Sequence, residues 1–185
     1  MAAALAKSVT STTRLLGAAG MIGGAALFVV ELRHAISGIP LNGTTIDKTD
    51  DVLYAIFGLG MAFTCWAIYQ IGATGSKPLL RAAPFVPMLG FVAMFIGSIL
   101  DIVGWMTPSE NLLAGVAFPL ILLGTLLVAI LALVARNWAG WRKFSPLIYV
   151  LAIPLMLALP GEWNDVLVGL SWVLLGYAVF STTAE

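Results

Sequence analysis

The chain predicts an all-α, polytopic membrane bundle of six transmembrane helices with both termini in the cytoplasm. Three observations carry that expectation: an apolar composition, six apolar runs joined by short loops, and a near-complete separation of charge between alternate loops. Of 185 residues, 61% are hydrophobic and only 10% charged, and the mean hydropathy is +1.02. Soluble domains carry about 25% charged residues. The spans use almost the whole length, so a single six-helix domain over residues 1–185 is expected, with no room for a soluble domain.

The first span is placed at about residues 15–36. Lys7 and Arg14 precede it as in a secretory signal, but the run from Leu15 to Val30 leads into Glu31, Leu32, Arg33 and His34, not into a small-residue cleavage site. It therefore reads as a retained helix. Spans at about 52–72, 85–106 and 112–135 follow, each with the roughly 20 residues a bilayer needs. The last two, at about 144–160 and 164–180, are shorter and are joined by a turn at Gly161, Glu162 and Trp163. They read as a thin, tilted hairpin, with a re-entrant pair as the alternative. Gly, Ser and Pro fill the loop from Gly72 to Pro84, Thr107 to Asn111 make a turn, and Trp138 and Trp141 sit in a basic loop at headgroup level. The exterior loop from about Ser37 to Asp50 holds the formal sequon Asn42-Gly43-Thr44, a weak match.

Charge sets the orientation. Lys7, Arg14, Lys77, Arg81, Arg136, Arg142 and Lys143, seven of nine cations, fall on one face, leaving Arg33 and Lys48 on the other. Glu31, Asp47, Asp50, Asp51, Asp101, Glu110, Glu162 and Asp165, eight of nine acids, fall on that second face. Short basic loops stay cytoplasmic, so the acidic face points outward or into a lumen, with a bacterial or archaeal plasma membrane as the expected location. Any chemistry is expected there.

Small residues mark the faces that should pack. Gly17, Gly20, Gly24, Leu27, Glu31 and His34 recur at steps of three and four on one face of the first span, and Gly20 with Gly24 forms a GxxxG pair. Similar stripes run through Asp51, Tyr54, Gly58, Cys65 and Tyr69, through Gly97, Ser98, Asp101, Gly104 and Trp105, and through Asp165, Gly169, Trp172 and Gly176. Four helices thus bring an acidic residue to the outer end of an inward face. Asp51, Asp165, Glu110 and Glu162 also fit the plainer role of rim or helix-dipole carboxylates. Asp101, placed roughly 7 Å inside its helix end at 1.5 Å per residue, and Glu31 are harder to explain so, because ionisable groups at membrane depth face a partner or a wet cavity. An ion pair to Arg33 is the competing structural reading for both.

Glu31 and His34 form an ExxH spacing, but bundle metal sites need two such motifs and further carboxylates. His34 is the sole histidine. A hydrogen-bonded structural histidine is the better reading than a metal held by Glu31, His34 and Asp101. Cys65 is the only cysteine, so no intrachain disulfide or CxxC site exists, and it reads as a packed thiol. GxSxG, HExxH and Walker-type motifs are missing, no span holds a lysine for a Schiff base, and no cofactor is indicated.

These features imply a non-enzymatic binding or transport protein. Its expected outward pocket is lined by Glu31, His34, Tyr54, Asp101, Trp105, Trp163, Asp165 and Trp172, suited to a small cationic or amphipathic molecule. The alternatives are an accessory subunit, whose glycine stripe would face a partner subunit or a second copy, and an intramembrane enzyme using Asp101 or Glu31 as general acid or base. The lipid bilayer is the expected surrounding, and no nucleic acid is an expected partner.

Overall fold

The computed structural model describes residues 2–37, 48–105, 112–158 and 163–182, and all regular structure among them is helical. Asn42 of the sequon, Asp47, Glu110 and Glu162 lie outside the described residues, as do the side chains of Trp163 and Asp165. The helices are α1 (Ala2–Ser37), α2 (Lys48–Ile71), the short α3 (Pro78–Arg81), α4 (Phe85–Ile102), α5 (Leu112–Ala135), α6 (Ser145–Ala158) and α7 (Trp163–Phe180), with a 3-10 turn at Gly140–Phe144 leading into α6. Four segments are long and apolar enough to cross a membrane: Ser11–Ser37, Lys48–Ile71, Pro78–Ile102 and Gly115–Ala135. The final pair is shorter, at 14 residues for α6 and 18 for α7.

Several boundaries differ from the sequence expectation, among them the start of α2, at Lys48 where about Val52 is expected, the start of α1 and the end of α4. α1 extends back to Ala2, because Ala2, Ala3, Ala4 and Ala6 are the strongest helix formers and need no apolar face to stay helical. α4 stops at Ile102, four residues before the expected end at Met106. Gly104 takes φ +74°, its amide donates to the Asp101 carbonyl, and the Trp105 amide donates to the Leu100 carbonyl. Those paired bonds form a Schellman stop around a left-handed glycine. Hydropathy runs on through Val103 and Trp105, but the glycine ends the helix. Asp101 therefore occupies the last turn of α4, one residue from its end, and not a position roughly 7 Å inside it.

The helices close into a ring. α1 packs on α2, α2 on α4, α4 on α5, α5 on α6 and α6 on α7, and α7 returns to α1 while also touching α2 across the middle. The seam between α1 and α7 rests on the predicted small-residue stripe. Gly17 abuts the backbone at Phe180, Gly20 abuts Thr64 and Gly176, and Gly24 abuts the backbone of Trp172 and Val173. With no water to drive association in a bilayer, close backbone approach through small residues supplies the dispersion contact instead.

The surface is apolar in register with that seam. Leu15, Ile22, Val29 and Ile36 stand exposed on α1 at steps of seven, opposite the glycines; Leu89, Val92, Ile96 and Ile99 do so on α4, and Val116, Leu123, Ile130 and Val134 on α5. Thr64, Ser98, Thr125 and Ser171 are buried instead. Large apolar residues outside and small or hydroxyl residues inside are the arrangement that hydrocarbon, not water, selects. Trp172 of α7 is the hub of the interior. Its ring lies 4.1 Å from Tyr149 of α6, 5.2 Å from Phe91 of α4 and 5.9 Å from Phe57 of α2.

At one end of the ring the loops are tied to the helix termini. The Arg81 guanidinium donates to the carbonyls of Tyr69 and Gln70 at 3.1 Å each, the Arg142 guanidinium donates to the Ser181 carbonyl at 2.8 Å, and Trp138 Nε1 donates to Thr182 Oγ1 at 3.0 Å. The last carbonyls of a helix lack internal partners and carry partial negative charge, so arginines there satisfy both needs.

Candidate functional site

The opposite end gathers the acids. α1 arrives there with its C-terminus, α2 starts there, and α4 ends there, since the short connections make ring neighbours antiparallel. Glu31 and His34 continue the glycine face of α1 and are buried where it packs; Asp50 and Asp51 are buried in the first turn of α2.

Asp50 is the organising residue. Only 2% of its side chain is exposed, and its two carboxylate oxygens take different partners. Oδ1 lies 2.6 Å from Nη1 of Arg33, which donates to it, and Oδ2 lies 3.0 Å from Nε2 of His34. The third residue of α2 thereby ties down two consecutive residues near the end of α1. Its place in the first turn adds the favourable field of the helix N-terminus. A charge-assisted contact as short as that to Arg33 is among the stronger hydrogen bonds available to a protein.

No family model, curated protein or solved structure matches this chain. Function therefore rests on the chemistry of the site itself.

Asp50 was not among the residues expected to form the pocket. A signal for it exists in the sequence: Asp50, Tyr54, Phe57, Met61 and Thr64 follow at steps of four and three, and Phe57, Met61 and Thr64 are buried. Asp50 is the polar end of a core-facing stripe. The adjacent Asp51 belongs to the neighbouring stripe through Ala55, Gly58, Ala62 and Cys65, which is also buried.

The remaining expected pocket residues separate into groups. Tyr54 is half-buried one turn below Asp50, and Asp101 is half-buried in the last turn of α4. Trp105 is 80% exposed, because the stop at Gly104 turns the chain off the inward face of α4 before the indole. Trp172 faces inward as its stripe implies, but it is fully buried in the aromatic hub and packed on α1, not set against an opening. Among the described residues no group of three or more His, Cys, Asp or Glu side chains converges as metal ligands, so Glu31, His34 and Asp101 do not form such a set. The glycine stripe that an accessory subunit would turn toward a partner is used within the chain, against α2 and α7.

Proposed function

We propose that this is a six-span membrane protein, with both termini cytoplasmic, that binds a small cationic or amphipathic molecule at its acidic, extracytoplasmic end. The observation that supports the reading is the charge balance there. Glu31, Asp50 and Asp51 are buried and Asp101 is half-buried, against the guanidinium of Arg33 and the exposed Lys48. Low-dielectric walls around a surplus of one sign focus the field and concentrate counter-ions. Tyr54 offers an aromatic face beside those carboxylates for cation–π contact. Because the cluster of Phe57, Phe91, Tyr149 and Trp172 fills the middle of the ring, the reading is one of one-sided binding. Transport requires that cluster to part.

Equilibrium binding of tetraphenylphosphonium to the protein in phosphatidylcholine nanodiscs tests the proposal. Saturable binding is expected, weakened about tenfold by Glu31→Gln or Asp51→Asn, an order set by one Coulomb interaction at intermediate dielectric. Absence of saturable binding sinks the reading and leaves the accessory-subunit and intramembrane-enzyme alternatives.

Orientation has its own measurement. In intact cells a cysteine at Lys48 should react with an impermeant thiol reagent and one at Lys143 should not; the native Cys65 is buried and adds no background. Labelling at position 143 but not at 48 would move the acidic end to the cytoplasm. A cysteine at Trp163 should also label from outside if α6 and α7 cross as a hairpin.

A further inference from the structure

Among the described residues, the basic end carries more positive charge than the fold uses. Arg81 and Arg142 are committed to helix carbonyls. The side chains of Arg14, Lys77 and Arg136 make no hydrogen bond or ion pair among the described residues, and that of Lys143 has only the ring of Phe144, 5.1 Å from its ammonium. Every carboxylate whose side chain is described, Glu31, Asp50, Asp51 and Asp101, lies at the other end. Nothing described therefore neutralises these cations.

The loops that bear them are held together. Asn137 Nδ2 donates to the Gly72 carbonyl at 3.1 Å, joining the α5–α6 loop to the α2–α4 loop. A Cβ on Gly75 would stand 3.8 Å from the Cβ of Ala135, so the two loops are also in van der Waals reach beside Arg136. Lys77 and Arg136 flank that junction, and Lys143 follows on the second loop. Apolar side chains accompany them outward: Leu79 is 85% exposed next to Lys77, and Trp141 and Phe144 are exposed next to Lys143. Arg136 holds φ +54°, an unusual conformation for a residue with a side chain, which sets the direction in which its side chain leaves the backbone.

We propose that Lys77, Arg136 and Lys143 seat the phosphate headgroup of an anionic glycerophospholipid at the junction of these two loops, with Leu79, Trp141 and Phe144 against its apolar part. Cations with no partner among the described residues, borne on two loops joined to each other and bordered by exposed apolar and indole groups, match a ligand that is anionic at one end and hydrocarbon at the other. Soluble anions share only the first property. Each lysine or arginine near an anionic lipid surface contributes about a fivefold factor in affinity, so three acting together give a readily measured preference. The proposal is independent of any ligand at the acidic end.

The test uses the full chain, purified in dodecyl maltoside and offered equal amounts of phosphatidylglycerol and phosphatidylcholine, with retained lipid counted by native mass spectrometry. The protein should keep phosphatidylglycerol over phosphatidylcholine by at least about tenfold. The triple variant K77Q/R136Q/K143Q should retain the two lipids within about twofold of each other, while its melting temperature in phosphatidylcholine nanodiscs stays at the parent value. K77Q/K143Q, which leaves the left-handed position untouched, should lose most of the preference and serves if the triple variant does not fold. K48Q at the acidic end should keep the full preference. Equal retention by the parent protein, or an undiminished preference in both variants, overturns the proposal. Displacement of phosphatidylglycerol by millimolar inorganic phosphate alone would overturn it in favour of a soluble-anion site.

Discussion

Asp50→Ala should lower the stability of the folded bundle by about 3 kcal/mol, the low end of the range for removing one partner from a buried charge pair. The low end applies because the Arg33 side chain is 43% exposed and water screens its charge, while His34 is buried and loses this contact. The same reasoning orders the neighbours. Asp50→Ala removes both contacts at once, His34→Gln removes the buried one, and Arg33→Gln removes the half-exposed one, so the losses should decrease in that order. Thermal or denaturant unfolding of the purified variants in one detergent measures the series. If Arg33→Gln proved the most damaging, the Arg33 guanidinium would be anchoring more than Asp50, and the clasp between α1 and α2 would need a different centre.

Gly24→Ala should be comparably harmful, at about 3 kcal/mol, although it adds one methyl group. A Cβ at Gly24 would stand 2.7 Å from the carbonyl carbon of Trp172 and 2.9 Å from Val173 Cα, with the Val173 amide closer still. These are backbone atoms of α7, which cannot rotate away as a side chain can, so the helices must separate along their seam. Loss of that seam also loosens Trp172, the hub of the aromatic interior. Gly115→Ala is the matched control: nothing stands within 4 Å of its would-be Cβ on α5, and the gain in helix propensity should leave stability equal or raised by up to about 1 kcal/mol. Equal effects at the two positions would mean that propensity, not close packing, governs the glycines.

The sequence by itself determined the helices, their order, the sorting of charge to two ends and the inward face of α1. Each of these is a local property. A helix in hydrocarbon satisfies its backbone within its own segment, so length and hydropathy suffice to find it, and short connections make chain neighbours ring neighbours. The stripe from Gly17 to His34 was legible because a period of three and four residues fixes a face without reference to any other helix. The stop at Gly104 was equally local, written in one residue whose missing Cβ admits positive φ, yet it was hidden by the apolar residues on either side.

Only the tertiary structure decided what those faces meet. Closing α7 on α1 turns the stripe through Trp172 into a packed seam, and no sequence period distinguishes a face against a helix from one against a cavity. The clasp of Asp50 with Arg33 and His34 joins residues 17 and 16 positions apart, and whether Asp50 or Asp51 reaches α1 depends on the rotation of α2 about its axis. At about 100° per residue, one position decides which carboxylate faces its partner, and that rotation is set by how Phe57 and Met61 pack in the shared interior, not by the residues of α2 alone.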